Sequence, residues 1–386
     1  MTRKPVYCLG LGVGIALLAA VAWSLPNDPL PKNLKPIDQR FDAETASGRF
    51  AGVLLITKDD ATIYAKAFGL ADNGNAIKNT LETRFRFGSV GKLFTEVAVM
   101  QLVQAGKLDL DAPIKTYIPD YPNAEITSSV TVADLMAHAG GTGDEFGPVF
   151  DAHQAELRTP SDFIRLFGSR GPEFPPGTRQ RYSNFGFEIL GRIIEEVSGL
   201  SYRDYVQRNV FARAGMSSTD NRPEEQCDPR RATPYMTVSG RLVRATVPAV
   251  VRLRDTPDAH GYLTYQGGPD GGGFTTANDL LRFVRALKTD ELLDPAHTDR
   301  LLNGTITLQN GDKTHFDTGG PLKGGGRFIG HNGVSPGSSA QVRAFPDGYA
   351  IVILANRDQP LAFDLFDDVV QQLLGANDAP ATRPIG

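Results

Sequence analysis

Strand-like segments lie near both ends of this chain, with helix-like segments between them. Residues 50–56 and 62–68 are mostly apolar and β-branched and flank a Lys-Asp-Asp turn, a pattern typical of a β-hairpin. Strand-like runs return at 341–345 and 349–355, on either side of Pro-Asp-Gly. A single sheet built from both ends of the chain would bury these segments together. The sequence therefore predicts an α+β fold.

Helical periodicity dominates the middle of the chain. Apolar residues recur at helical spacing in two segments: Leu93, Val97 and Met100 in the first, and Phe187, Leu190, Ile194 and Val197 in the second. A glycine-rich stretch at 267–273 precedes a further helix near 278–287, and a last amphipathic helix is predicted over 363–374. We predict an antiparallel sheet from both chain termini, flanked by helices, plus an inserted, mainly helical domain.

These patterns give approximate domain boundaries. The main domain is predicted over residues 23–375, followed by a C-terminal tail at 376–386. Within it, the sheet part is predicted at about 35–88 and 265–375, and the helical part at about 89–264.

The N-terminal segment has the composition of a targeting signal. Thr2-Arg3-Lys4 precedes an uncharged, mostly apolar run over 5–25, and Ala20-Val21-Ala22 supplies a small-x-small cleavage site. Residues 1–22 are therefore predicted to be a signal peptide, which makes the protein exported, either periplasmic or extracellular. The uncharged run could also span a bilayer, so an uncleaved membrane anchor is the alternative.

Composition excludes several function classes. The 40 Lys and Arg residues against 44 Asp and Glu residues give a net charge of −4, and the basic stretch at 222–254 is interrupted by acidic residues and prolines, so nucleic acid is not an expected partner. The two cysteines, Cys8 and Cys227, cannot form a zinc or iron–sulfur site. No metal or cofactor is expected, and membrane contact is expected only through an uncleaved N-terminal helix.

One Ser-x-x-Lys motif, Ser89 to Lys92, stands at the start of the first predicted helix. An offset of three residues places both side chains on one helical face, so the lysine amine can contact the serine oxygen. Free backbone N–H groups at a helix start also favour developing negative charge. A nucleophilic serine is one interpretation, and a simple N-cap serine is the alternative.

Two later motifs supply groups that a serine nucleophile needs. Tyr182 and Asn184 lie just before a predicted helix, and His331 precedes the terminal strands. A tyrosine can accept the serine proton if an ammonium such as that of Lys92 stabilises its phenolate, and Asn184 offers an amide to a substrate carbonyl. Taken singly, the pattern favours a half-buried packing residue for Tyr182 and a loop histidine for His331, and only their combination favours a functional role.

Together, the motifs at 87–92 (FGSVGK), 182–184 (YSN) and 331–333 (HNG) resemble the three active-site motifs of the penicillin-recognising serine hydrolases. The Tyr-x-Asn form is similar to class C β-lactamases and their relatives among D-amino-acid peptidases and family VIII carboxylesterases. Further similarity lies at 106–111, 135–141, 176–178, 273–280 and 333–358. The resemblance covers nearly all of the main domain and implies a β-lactamase/transpeptidase-like fold.

The resemblance implies catalysis through an acyl-enzyme. Ser89 would attack a carbonyl carbon, Lys92 and Tyr182 would move the proton, and water would later release the acyl group. The backbone N–H groups of Ser89 and Val334 match the family's oxyanion hole.

The resemblance also implies that Asn184, His331 and Gly333 bind substrate. His331 stands where β-lactamases usually have a lysine that attracts the substrate carboxylate, and an ordinary histidine is mostly neutral at pH 7. Esters or D-amino-acid-containing amides and peptides are therefore the expected substrates, with β-lactams as the alternative.

Two other hypotheses come from the same residues. The run Gly333-Val334-Ser335-Pro336-Gly337 formally matches the Gly-x-Ser-x-Gly nucleophile elbow, but Pro336 lacks the required N–H and a strand-like run follows. A non-catalytic protein that senses cell-wall peptides is the second hypothesis. Retention of the serine, lysine and tyrosine favours catalysis.

Overall fold

The computed structural model describes residues 33–223, 228–245, 250–252, 260–262, 267–358 and 360–375. The predicted signal segment at 1–22, both cysteines and the predicted tail at 376–386 lie outside these residues. Within the described ranges, no helix is long and apolar enough to cross a membrane.

The described residues form helices and strands in the following order. The helices are α1 (Lys35–Ala46), α2 (Gly91–Gln104), α3 (Ala124–Ser129), α4 (Val132–Met136), α5 (Pro148–His153), α6 (Pro160–Phe167), α7 (Asn184–Ser198), α8 (Tyr202–Val206), α9 (Ala277–Lys288), α10 (Pro295–Asn303) and α11 (Leu361–Leu374). The strands are β1 (Gly52–Lys58), β2 (Ala61–Phe68), β3 (Leu70–Asp72), β4 (Ile77–Lys78), β5 (Phe85–Arg86), β6 (Tyr235–Val238), β7 (Arg241–Arg244), β8 (Val250–Arg252), β9 (His260–Tyr262), β10 (Phe274–Thr275), β11 (Thr305–Thr307), β12 (Lys313–His315), β13 (Gly319–Pro321), β14 (Arg327–Ser335), β15 (Ser338–Ala344) and β16 (Tyr349–Ala355).

The main sheet joins the two ends of the chain, as the sequence predicts. Its six strands run in the order β13-β14-β15-β16-β1-β2. The late strand β16 pairs antiparallel with the early strand β1, from Gly52 opposite Ala355 to Lys58 opposite Tyr349. The predicted α+β class with an antiparallel sheet is confirmed.

Tight turns fix the register of two hairpins. Asp59 and Asp60 both have positive φ, 49° and 63°, between β1 and β2, the conformation of a type I′ turn. Ser335 pairs with Ser338 across a Pro-Gly turn in which Gly337 has φ 73°. A strand follows Ser335, not a helix, so the segment is not a nucleophile elbow.

Helices cover both faces of the main sheet. In β1, Val53 and Leu55 belong to the core on the side of α2 and α9, whereas Leu54 and Ile56 belong to the core on the side of α1 and α11. This alternation follows from the two-residue period of a strand. Because both faces are buried, β1 is a nearly continuous apolar run.

Helix α2 is buried on all sides. The Leu93, Val97 and Met100 stripe predicts one buried face, but every residue from Gly91 to Leu102 is buried, including Lys92 and Glu96. The helix packs against β14 on one side and α7 on another, which brings distant parts of the chain to its N-terminal end.

The middle of the chain is less purely helical than the sequence predicts. Two small hairpins, β6–β7 and β8–β9, lie within the part predicted as helix and loop. Each strand has only three or four residues, which is too short to give a clear two-residue period.

Candidate active site

Ser89 lies in a short 3-10 turn, Gly88–Val90, that leads directly into α2. Gly88 has φ 50°, a conformation that favours glycine. The residue at the N-cap position is Val90, and no side chain caps the helix. The alternative prediction, that Ser89 is an N-cap residue, is therefore wrong, and its hydroxyl does not cap α2.

The Lys92 side chain is fully buried beneath Ser89. Its Nζ atom lies 3.4 Å from Ser89 Oγ and donates hydrogen bonds of 2.6 Å to Asn184 Oδ1 and to the Asp270 carbonyl. Burial alone would lower the pKa of Lys92, but the electrostatic effects of Tyr182 and Asp270 raise it above its ordinary value. Lys92 is therefore an ammonium at neutral pH in the resting site.

The Tyr182 ring lies beside this ammonium. Lys92 Nζ is 4.8 Å from the Tyr182 ring centroid, and the phenol oxygen is buried. Burial raises the pKa of Tyr182 to about 12, although the Lys92 charge opposes this shift. Tyr182 is therefore a neutral phenol at pH 7 in the resting site.

We expect Tyr182 to ionise near pH 12, about two units above an exposed tyrosine. The measurement is an ultraviolet difference titration of wild type against Tyr182→Phe, with circular dichroism to confirm that both remain folded. Ionisation of Tyr182 near or below pH 10 would contradict this expectation and indicate a phenolate stabilised by Lys92.

Asn184 is fixed by partners on both sides of its amide. Its Oδ1 accepts from Lys92, and its Nδ2 lies 3.2 and 3.3 Å from the two carboxylate oxygens of Asp144. Asn184 is the first residue of α7, where the Ser183 hydroxyl caps the helix by accepting from the Gly186 N–H. The cap thus sets the direction in which Asn184 faces Lys92.

His331 lies within β14 and is only 4% exposed. The alternative prediction of a loop histidine is therefore wrong. Its Nε2 atom lies 2.7 Å from Asp317 Oδ2, and its ring centroid is 6.5 Å from that of Tyr182. The second and third motifs are thus neighbours in the fold.

Gly333 brings β14 against the Ser89 turn. A Cβ atom added to Gly333 would overlap the Phe87 carbonyl oxygen and lie 2.9 Å from the Ser89 nitrogen. A Cβ atom added to Gly88 would lie 2.7 Å from the Val334 nitrogen. Only glycines allow this approach, and it brings the backbones of Ser89 and Val334 close together.

Several residues around the motifs are not identified as site residues by the sequence patterns. Asp270 lies in the glycine-rich stretch, where Gly271 approaches the Gly88 carbonyl closely. The unusual glycine content was a signal for this contact. His138 lies in the 135–141 run noted for its family resemblance, but Asp317 lies in no motif.

Comparisons with known proteins cover most of the chain. Penicillin-binding protein 4 of Amycolatopsis lactamdurans is 28% identical over 352 residues, 87% of this chain and 88% of that protein. Esterase EstB of Burkholderia gladioli is 28% identical over 334 residues, 76% and 80% of the two chains. The crystal structure of a penicillin binding protein from Bacillus halodurans has a TM-score of 0.70 at 27% identity, covering 87% of this chain and 98% of that one. The Beta-lactamase family model matches residues 37–376, and the chain belongs to this family of serine hydrolases.

Proposed function

We propose that this protein is an exported serine hydrolase that acts through an acyl-enzyme on esters or on amides and peptides that contain D-amino acids. The observation that supports this most directly is the 3.4 Å contact between Lys92 Nζ and Ser89 Oγ. A buried ammonium beside a partly exposed serine, at the point where three sequence-distant motifs meet, suits a serine nucleophile.

In the proposed reaction, Ser89 Oγ forms a bond to the substrate carbonyl carbon. Its proton passes to the Lys92–Tyr182 pair, and the pair then protonates the leaving alcohol or amine as the ester or amide bond breaks. A water molecule attacks the acyl-enzyme, its proton passes to the same pair, and Ser89 regains a proton as the acid is released. The N–H groups of Ser89 and Val334 would stabilise the oxyanion in both steps.

The resting protonation of the pair constrains this mechanism. Lys92 is charged and Tyr182 is neutral at pH 7, so neither can accept the Ser89 proton until the pair has lost one proton. Because Lys92 and Tyr182 interact strongly, the proton is lost with an apparent pKa that describes the two residues together and cannot be assigned to either one. The pair is therefore proposed to act as one acid–base unit.

Two observations support the proposed substrate class. A histidine occupies the third motif, and the relatives include both an esterase and a penicillin-binding protein. Genuine β-lactamase activity is the second candidate because the family model is that of the β-lactamases.

A side-by-side assay tests these candidates. Purified protein is incubated with a short-chain nitrophenyl ester, a D-Ala-D-Ala peptide and a chromogenic cephalosporin. We expect turnover of the ester or the peptide to exceed that of the cephalosporin. Faster turnover of the cephalosporin would favour the β-lactamase, and no turnover or acylation with any of them would favour the non-catalytic binding protein.

Export is proposed from the charged and apolar N-terminal pattern at residues 1–22. When the full chain is expressed in a bacterial host, we expect the mature protein to begin at Trp23 in the envelope fraction, as read by N-terminal sequencing. A chain that begins at Met1 in washed membranes would instead support the anchor, and a cytosolic protein would contradict both.

A further inference from the structure

Asp317 contacts the third motif, the helix α2 that bears the first motif, and His138, which in turn contacts the second motif. Its Oδ2 atom lies 2.7 Å from Nε2 of His331 in the third motif and 3.0 Å from Nε2 of His138. Its backbone N–H donates a 2.8 Å hydrogen bond to Oε1 of Glu96, one turn beyond Lys92 on α2. Burial favours the neutral acid, but the two histidines hold the pKa of Asp317 well below its usual range. Asp317 is therefore a carboxylate.

His138 connects this carboxylate to the second motif. Its Nδ1 atom accepts a 3.1 Å hydrogen bond from the Ser183 N–H, so Nδ1 has no proton and Nε2 donates to Asp317. Its ring lies 4.5 Å from the Tyr182 ring centroid, with an angle of 31° between the planes. His138 is thus a neutral imidazole that packs directly against Tyr182.

His331 faces an acceptor at each ring nitrogen. Nε2 faces Asp317, and Nδ1 faces the carbonyl oxygen of Asn332. An imidazolium satisfies both acceptors, whereas a neutral imidazole satisfies one. With neutral His138 and anionic Asp317, the three groups have a net charge of zero if His331 is protonated, and a net negative charge if it is not. In neither state is this cluster positive.

We propose that Asp317 is a positioning residue that orients both histidines and keeps the cluster from being positive in either protonation state of His331, so that the site disfavours substrates with a carboxylate near the third motif. This inference rests on the proposed function. It narrows the proposed substrates to those without a carboxylate at the end that lies near the third motif, namely esters, amides and amidated peptides. Arg327, four residues before His331, is the only lysine or arginine on β14. Its Nη2 donates to the Gly319 carbonyl at 3.2 Å, which directs that nitrogen toward the β13 backbone.

The first test uses wild type alone. Two matched peptides end in D-Ala-D-Ala, one with a free carboxylate and one with an amide, and kcat/KM is measured for each. We expect the amidated peptide to be preferred by roughly tenfold, the size of a charge effect at about 4 Å. Preference for the free carboxylate would overturn the inference while leaving the proposed function intact. If wild type cleaves neither peptide and is also not acylated on Ser89 by an ester or a β-lactam, both the inference and the proposed function are overturned.

The second test removes the charge of Asp317 with little change in the shape of its side chain. Asp317→Asn is expected to shift the preference toward the free carboxylate by roughly tenfold, whereas Asp317→Glu keeps the charge and is expected to retain the wild-type preference. Asp312→Asn, which removes an exposed carboxylate nearby in the sequence, is the control and should not shift it. Equal losses toward both peptides in Asp317→Asn and Asp317→Glu would show a purely structural role. A further shift toward the amidated peptide in Arg327→Gln, with the preference of Asp317→Asn equal to that of wild type, would assign charge selection to Arg327.

Discussion

Ser89→Ala is expected to lower kcat/KM by about 10⁴-fold or more for every substrate that the protein hydrolyses, because loss of a nucleophile removes the whole acyl-enzyme route. The substitution removes one oxygen atom from a side chain that does not cap α2, so the fold should be unaffected. Intact-protein mass spectrometry after incubation with a fluorophosphonate or a β-lactam should show one adduct on wild type and none on the variant.

Ser335→Ala is the matched control for this prediction. Ser335 belongs to the sequence that formally matches a nucleophile elbow, but it ends β14 and pairs with Ser338. Its hydroxyl is buried. We expect Ser335→Ala to keep wild-type labelling and turnover. An adduct on Ser335, or one that persists in Ser89→Ala, would refute the assignment of Ser89 as the nucleophile.

Local patterns account for what the sequence predicts well. The hairpin of β1 and β2 follows from apolar, β-branched runs around a short turn, and α7 follows from its apolar stripe and the glycine after it. The motifs around Ser89, Tyr182 and His331 are short and locally recognisable. Their meeting at one site was predicted from family resemblance, because no local rule brings β14 against α2.

Contacts between residues far apart in the chain account for what the sequence does not predict. Asp317 bonds to residues 179 and 221 positions earlier, His138 and Glu96, and its local sequence gives no sign of either. The Asp270 carbonyl that binds Lys92 is likewise 178 positions from it. The burial of α2 on every face from Gly91 to Leu102 is missed for the same reason, since an apolar stripe reveals one buried face and not what covers the other faces.

The roles of Lys92 and Tyr182 give the second prediction of large effect. Lys92→Ala and Tyr182→Phe are each expected to lower kcat by roughly 10²-fold or more, with a smaller change in KM, because general acid–base catalysis typically contributes about 10² to 10⁴. Lys92→Ala also leaves the oxygens of Asn184 and Asp270 without their shared donor, so thermal unfolding is measured beside the acylation rate. Lys107→Ala, at an exposed lysine, and Tyr117→Phe serve as matched controls and should keep wild-type turnover.

The double variant separates a coupled pair from two independent groups. If Lys92 and Tyr182 transfer the Ser89 proton as one unit, the first substitution already disables that unit, and the second adds little further loss. The double variant should therefore be about as slow as the slower single variant, when single-turnover acylation by an ester is measured. Losses that multiply would mean that the residues act independently, and near wild-type turnover in either single variant would remove that residue from proton transfer. The 4.8 Å separation of the Lys92 ammonium from the Tyr182 ring centroid favours the coupled outcome, because the charge of one group then depends directly on that of the other.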